Sequence, residues 1–454
     1  MQPNSNREHA EPAACLPKGN QTPRRTPDHL ERISKMIILS DQRNRILSRG
    51  LATATMILFS LSGITGMARA APPSNPGCSA DRPPNFVILV ADDLGWADLP
   101  SYGHPFHETP NLDALAAAGV RFTAAYASGP VCSPTRASIQ TGRHQARYGL
   151  TAHIPGHWRP FEKLAEPPPA LALPSEAQTL AELLKPRGYR TGYYGKWHLG
   201  GKGFGPADQG YDDALEFSNH VYPSRRQAKS DQPPRRGPDV LADQAVNFIN
   251  RESDQPFLLQ VHYFAVHIPL DADPDLEAKY RAKPQVEGRP IARPDYAALL
   301  EEMDNSIGRI LEALNQRGLD ANTWVLFLSD NGGLERESGG WPGTSNRPLR
   351  DQKGTLYEGG IRIPMIARIP GLAQPGTVIE TPVVTYDLAP TLLAAAAARP
   401  PRPARGGGGA GGGSISSPGS IIPRSLRPTA RSTGTTPTIT PEDPRARSNA
   451  TDSS

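Results

Sequence analysis

Two apolar runs in this chain end in the same way, and that shared ending constrains the fold more than any other feature. Phe86–Ala91 (FVILVA) runs straight into Asp92-Asp93, and Thr323–Ser329 (TWVLFLS) runs into Asp330-Asn331. A short unbroken apolar run, unlike an alternating one, is the mark of a strand buried on both faces. Phe257–Val266 and Ile363–Ile369 read as two further strands. Leu300, Met303, Ile307, Ile310, Leu311 and Leu314 keep helical spacing, with Gly318 to close the helix. Thr109-Pro110 supplies the N-cap and first turn of another helix through Leu112, Leu115 and Ala116, ending at Gly119. Strands alternating with helices predict an α/β fold with a mostly parallel, doubly wound sheet. Such sheets bind ligands beyond the carboxyl ends of their strands. Asp92, Asp93, His267, Asp330 and Asn331 each follow a predicted strand, which argues for one composite site.

The two ends of the chain differ from this body. Residues 1–49 are polar and rich in Arg and Pro, and read as a non-globular extension. Gly50–Met67 is apolar, preceded by Arg43, Arg45 and Arg49 and followed by Ala68-Arg69-Ala70. That is the pattern of a signal peptide over 50–70, cleaved after Ala70, with Met36 as a start close to its basic region. Ser60, Ser62, Gly63 and Gly66 make the run a poor membrane anchor. A periplasmic or secreted protein without a stable anchor is therefore expected. Residues 399–454 contain no aromatic residue and carry the runs Gly406–Gly409 and Gly411–Gly413. This composition cannot bury enough apolar surface to offset its ordering entropy, and it predicts a disordered tail.

Charge and cysteine usage narrow the function. The formal net charge is +4, yet residues 1–70 and 399–454 each carry a balance of +5, which leaves −6 on the body between them. An acidic body offers no electrostatic footprint for nucleic acid. The cysteines are Cys15, Cys78 and Cys132. Cys15 leaves with the signal region, so no disulfide framework is available and Cys132 needs its own explanation.

Asp92-Asp93 alone reads as solvated acids at a strand end, and Asp330-Asn331-Gly332-Gly333 alone reads as a turn. Together they supply four hard oxygen donors, which suit calcium, with magnesium possible at reduced fit. Cys132-Ser133-Pro134-Thr135-Arg136 followed by Thr141-Gly142-Arg143 is more specific. Pro134 can open a helix, which puts Cys132 near a helix N-terminus where an anion is favoured. Arg136, four residues on, falls about one turn above the same face.

CSPTRASIQTGR resembles the formylglycine signature of type I sulfatases, Cys-x-Pro-x-Arg with a trailing Thr-Gly-Arg. Gly195-Lys196-Trp197-His198-Leu199-Gly200 is similar to that family's second signature. The resemblance covers about Asn85 to Leu393 and implies an arylsulfatase-like catalytic domain over 85–398, in the alkaline-phosphatase-like superfamily. It implies metal ligands at Asp92, Asp93, Asp330 and Asn331, with modified Cys132 as the fifth. Arg136 would hold the formylglycine hydrate and His198 would act on it as base. Lys196, His267 and Lys353 would bind sulfate, with His267 or Lys353 protonating the leaving oxygen. The implied cofactors are calcium and a formylglycine made from Cys132 by a formylglycine-generating enzyme. The implied substrate is a sulfated small molecule or glycan.

The chain departs from the family pattern after Thr385–Leu393, where family-like text gives way to the Gly/Pro/Arg/Ser tail. A shifted reading frame and a lost C-terminal subdomain are expected from so abrupt a change. Two other readings stand beside the sulfatase: a phosphatase or phosphonate hydrolase of the same superfamily, and an inactive sulfated-glycan-binding relic. His153, His157, Trp158 and Arg159 are candidates for the pocket mouth, with the Trp face suited to a sugar ring.

Overall fold

The computed structural model describes residues 82–397 apart from 157–162, 164–166, 230, 232, 288–291, 336–342 and 372–373. The N-terminal extension, the signal peptide, Cys15, Cys78, His157, Trp158, Arg159 and the tail lie outside the described residues. So does any C-terminal subdomain. Among the described residues no helix is long and apolar enough to cross a membrane.

The strands are β1 (Asn85–Ala91), β2 (Val120–Tyr126), β3 (Arg190–Gly195), β4 (Asp213–Glu216), β5 (Val221–Tyr222), β6 (Arg235–Arg236), β7 (Phe257–His262), β8 (Thr323–Ser329), β9 (Arg362–Arg368), β10 (Thr377–Ile379) and β11 (Val383–Val384). The helices are α1 (Pro110–Ala118), α2 (Cys132–Thr141), α3 (Leu180–Leu184), α4 (Gly237–Asn250), α5 (Pro274–Ala282), α6 (Pro294–Gln316), α7 (Glu358–Ile361) and α8 (Leu388–Ala397). One large sheet runs β10-β2-β9-β8-β1-β7-β3-β4, with β11 also on β2, while β5 and β6 pair separately. Only β9 among these described strands of the large sheet runs antiparallel to its neighbours β2 and β8. The mostly parallel α/β sheet expected from the apolar runs is present.

Every residue of β1 is buried, and successive residues serve opposite faces. Val87 and Leu89 pack with Leu112 of α1, Leu241 and Phe248 of α4, and Leu300 and Ile307 of α6. Phe86, Ile88 and Val90 pack with Ile139 of α2, Leu180 and Leu184 of α3, and Leu388 and Leu392 of α8. Helices therefore cover both faces, as a parallel sheet requires. The first turn of α1 is held from outside: Thr109 makes no side-chain cap bond, and Asp304 of α6 accepts from Asn111 N at 3.0 Å and Leu112 N at 2.8 Å. A carboxylate meeting free amides at a helix start supplies the missing cap.

Three expectations need correction. The predicted strand Phe257–Val266 stops at His262, because Tyr263–Val266 turn off the sheet. Asp92 N donates to Ala265 O at 3.0 Å and Val266 N to Asp92 O at 2.8 Å, so this apolar stretch packs beneath the site instead of extending the ladder. His267 therefore sits on a loop and does not follow a strand directly. The strand read as Ile363–Ile369 is β9, one residue earlier at both ends. Pro134 does not open its helix: α2 starts at Cys132, with Pro134 inside the first turn.

Candidate active site

Register sets the first part of the site. Ala91 pairs with Ser329 across β1 and β8, so Asp92-Asp93 and Asp330-Asn331 leave adjacent strands side by side. On the other flank Val90 pairs with His262, and His262 with Gly195, so Lys196 emerges at the same end. A Cβ on Gly195 would lie 2.0 Å from His262 O, at φ +106°, so only glycine permits this approach of β3 to β7. The next part comes from the start of α2, where Cys132 occupies the first helical position after the extended Val131. Two Gly-Gly pairs then close the far wall. Gly332 N donates to Gly360 O at 2.9 Å, and a Cβ on Gly332 would meet Gly359 O at 1.9 Å. That contact brings in the loop of Lys353, whose N–H donates to Gly333 O at 3.1 Å while Gly354 N donates to Pro130 O at 2.8 Å.

The charged side chains interlock. Cys132 Sγ lies 3.3 Å from Asp92 Oδ1 and 3.5 Å from Lys196 Nζ, and Lys196 Nζ also contacts Asp92 Oδ2. Arg136 donates through Nε to Asp330 Oδ2 at 2.9 Å and lies 2.8 Å from the same oxygen through Nη2. Lys353 Nζ lies 2.6 Å from Asp93 Oδ1 and 2.7 Å from Oδ2. Asn331 Nδ2 donates to Asp93 Oδ1 at 2.8 Å, while Asn331 Oδ1 is buried without a partner. His267 Nε2 stands 3.6 Å from Asp93 Oδ2. Asp93 and His198 hold positive φ of 64° and 58°, uncommon for residues other than glycine. The side chains of Asp92, Arg136 and Asp330 are fully buried, whereas His267 keeps 24% exposure and Lys353 15%. A ligand therefore arrives over the lysine and histidine, and the carboxylates form the floor.

Burial would raise the Asp92 carboxyl, but Lys196, His267, Arg136 and Lys353 outweigh it and hold Asp92 well below the usual range. Asp330 goes the other way: burial and the Asp92 charge push it up to about 7 against the pull of Arg136. Burial and Asp92 also push the Cys132 thiol up, so the unmodified side chain is no ready thiolate. Burial, then Lys196, lowers His198 to about 4, and burial lowers His267 although Asp93 and Asp92 oppose it. Both imidazoles are neutral near pH 7, and their partners fix the tautomers. His198 Nε2 faces Ile154 O at 2.7 Å, so Nε2 carries the proton and the buried, unpartnered Nδ1 keeps its lone pair. His267 Nδ1 donates to Ile268 O, which leaves its Nε2 facing Asp93.

The oxygen donors fit a hard divalent cation. Asp92, Asp93, Cys132 and His267 offer ligand atoms within 4.8 Å of one another, and the orphaned Asn331 Oδ1 is an acceptor in want of a cation. Asp330, raised beside Asp92, is a further carboxylate that a cation would relieve.

The structure gathers Asp92, Asp93, Cys132, Arg136, Lys196, His267, Asp330, Asn331 and Lys353 by direct contact. His198 joins through Ile154, whose N–H donates to Ser133 Oγ at 3.1 Å. The His153 ring lies 6.5 Å from that of His198, at the rim. Sequence reasoning missed the supports. His220 Nε2 faces His267 O at 2.8 Å, and Tyr193 OH donates to Lys196 O at 2.6 Å. It also missed Gln260 and His262 inside β7. Polar residues interrupting an otherwise apolar strand were the available signal.

The stretch of chain that carries this site matches known proteins. The model of the Sulfatase family matches residues 84–398. Human arylsulfatase A is 37% identical over 344 residues, covering 70% of this chain and 65% of its own length. Human N-acetylgalactosamine-6-sulfatase is 35% identical over 346 residues, covering 69% of this chain and 62% of its own length. The chain thus spans just under two thirds of these relatives. Among solved structures, that of Ps i-CgsB in complex with k-i-k-neocarrahexaose superposes with a TM-score of 0.60 at 30% identity, covering 69% of this chain and 72% of that one.

Proposed function

This chain belongs to the sulfatase family, and from that membership we propose that it hydrolyses sulfate esters of carbohydrate at the site around Cys132. The observation that carries the reading is the placement of Cys132 Sγ at the first position of α2, 3.3 Å from Asp92 Oδ1 and 3.5 Å from Lys196 Nζ. A thiol raised by burial is a poor nucleophile there, whereas an oxygen nucleophile beside carboxylates and cations suits sulfate transfer. Oxidation of Cys132 by a generating enzyme, with dioxygen as oxidant and the sulfur leaving as sulfide, would give formylglycine. Its aldehyde adds water to form a hydrate with two hydroxyls, one to attack sulfur and one to lose its proton and expel sulfate afterwards. Asp92, Asp93, Asp330 and Asn331, with residue 132, would hold calcium, which supplies charge to polarise the sulfate oxygens.

The remaining work falls to the chain's own side chains. Lys196 and Lys353 offset charge on the sulfate oxygens, and Arg136 orients the group at position 132. His198 takes a proton at Nδ1, the nitrogen without a partner. Lys353 at Nζ, kept protonated beside Asp93, gives a proton to the leaving oxygen, and His267 does so at Nε2 only once that nitrogen has itself gained a proton. Support for a carbohydrate ester comes from the Ps i-CgsB complex with a neocarrahexaose and from the N-acetylgalactosamine-6-sulfatase relative. Export through the signal peptide at 50–70 would deliver the enzyme to such glycans.

The test pairs two measurements on one preparation made with a formylglycine-generating system. The peptide carrying Cys132 is expected about 18 Da lighter, the difference between CH2SH and CHO. Sulfate release from a panel of sulfated glycans should follow that conversion. Vigorous release from protein whose Cys132 is wholly unmodified would overturn the mechanism.

A further inference from the structure

Behind Arg136 lies a closed polar network inside the sheet. His262 is the last residue of β7, between Val90 and Gly195 on its neighbours, and has no exposed surface; neither do Gln260, Gln140 and Arg136. A fully buried strand position of this kind is apolar by default, because an unpaired polar group there costs its full desolvation. Here every polar side-chain atom of His262, Gln260 and Gln140 has a partner. Arg136 Nη1 lies 3.0 Å from His262 Nδ1, and His262 Nε2 lies 2.8 Å from Gln260 Oε1. Gln140 Nε2 donates to the same oxygen at 2.9 Å. Gln260 Nε2 donates to Tyr211 Oη at 2.7 Å, and Tyr211 OH donates to Gln140 Oε1 at 2.6 Å.

This circuit can be read in one direction only. A guanidinium has donors and no acceptor, so His262 Nδ1 must accept. The proton of neutral His262 is then on Nε2 and donates to Gln260 Oε1. That oxygen receives two donors, which fixes the Gln260 amide, and the amide in turn orients Tyr211 and Gln140. Burial and the Arg136 charge keep His262 neutral, in agreement with this tautomer.

We infer that His262 is a positioning residue for the reaction, setting the rotation of the Arg136 guanidinium. Nη1 is committed to Lys196 O at 2.7 Å and to His262, and Nε to Asp330. Nη2 makes an ion-pair contact with Asp330 and stands 3.7 Å from Asp92 Oδ2, but it makes no well-formed hydrogen bond. It is the donor kept for the nucleophile at position 132. Without the His262 acceptor, Nη1 keeps only Lys196 O, and opposite the Asp330 contacts a single hydrogen bond is left to set the plane. The inference rests on the role proposed above for Arg136.

Two near-isosteric substitutions separate positioning from support of the core. His262→Asn keeps an acceptor near the Nδ1 position and loses the donor to Gln260. His262→Gln keeps a donor near Nε2 and loses the acceptor for Arg136. Each variant is first checked by mass for formylglycine content, then assayed for kcat and KM on an aryl sulfate, with its melting temperature and crystal structure determined. Positioning predicts that His262→Gln and His262→Leu lose about 10- to 100-fold in kcat, with KM little changed and Arg136 rotated, while His262→Asn stays within a few-fold. A merely structural histidine predicts that kcat losses follow the melting temperatures, with Arg136 in place in all three, and that result would overturn the inference. Wild-type protein that is fully converted yet inert on every sulfate ester would sink the sulfatase reading instead. The three crystal structures would still report whether Arg136 depends on His262.

Discussion

The strand-end oxygen donors of this site and the groups proposed to move protons are held in different ways. Asp92, Asp93, Asp330 and Asn331 occupy the first two positions beyond two paired strands, and the ladder that ends in Ala91 and Ser329 sets their separation. His198, His267 and Lys353 sit on loops, each fixed by a few contacts: Ile154 O for His198, Ile268 O and His220 for His267, and Gly333 O for the backbone of Lys353. The difference teaches that the proposed cation-binding set is built into the sheet, whereas the groups proposed for proton transfer are placed by loops. Substitutions in the first group should therefore damage stability and activity together, and those in the second should damage activity alone.

The largest effect is expected at the junction of the two groups. Cys132→Ala should reduce sulfate release by at least about 10⁴-fold, as loss of a nucleophile usually does. The same variant should still be stabilised by calcium in thermal denaturation, because the strand-end donors remain. Loss of both would mean that position 132, and not the sheet, organises the metal.

Asp330→Ala tests the strand-end group directly. It leaves the buried Arg136 without its main counter-charge, and urea denaturation should show a loss of about 3–5 kcal/mol. Activity and the calcium effect on melting should disappear as well. A stable, calcium-responsive Asp330→Ala protein would break the comparison.

His267→Ala is the matching test of the loop group. It should cost about 10²–10⁴-fold in kcat, the usual worth of a positioned acid or base. Its unfolding free energy should stay within about 1 kcal/mol of the parent, since the side chain is partly exposed. A destabilisation equal to that of Asp330→Ala would erase the distinction between the groups.

The smallest effect concerns pH, and its sign differs between the groups. Burial lowers His198 and His220 to about 4, below their unfolded value of about 6.5. The unfolded chain then binds more protons, so their contribution is complete above about 6.5 and fades as pH falls toward 4. Asp330, raised to about 7, acts oppositely in chelator. The folded state binds the extra proton, so stability from this group grows as pH falls through 7. Melting curves from pH 8 to 4 should show both slopes in chelator, and calcium should remove the Asp330 component while leaving the histidine one.

Much of this was legible in the chain itself, for identifiable reasons. An unbroken apolar run such as Phe86–Ala91 can be satisfied only between two helical layers, so β1 and β8 could be read with their ends. Strands β2 and β3 were not, because VRFTAAY and RTGYYG mix polar and small residues and become strands through their neighbours. The end of β7 was misplaced because Tyr263, Ala265 and Val266 are as apolar as strand residues, although they are buried beneath the site and not within the sheet.

Sequence alone determined the types of the site residues, the layer order implied by the buried runs, and the family resemblance, since these depend on side-chain chemistry and on spacing along the chain. Tertiary structure decided what spacing cannot carry. It put Lys353 against Asp93, 260 positions away, and turned the two Gly-Gly pairs into one contact. It brought the polar residues of β7 under Arg136 and oriented each imidazole by the carbonyl it meets. A tautomer or a rotated guanidinium depends on partners that arrive from distant strands and loops, and those partners become neighbours only when the sheet has closed.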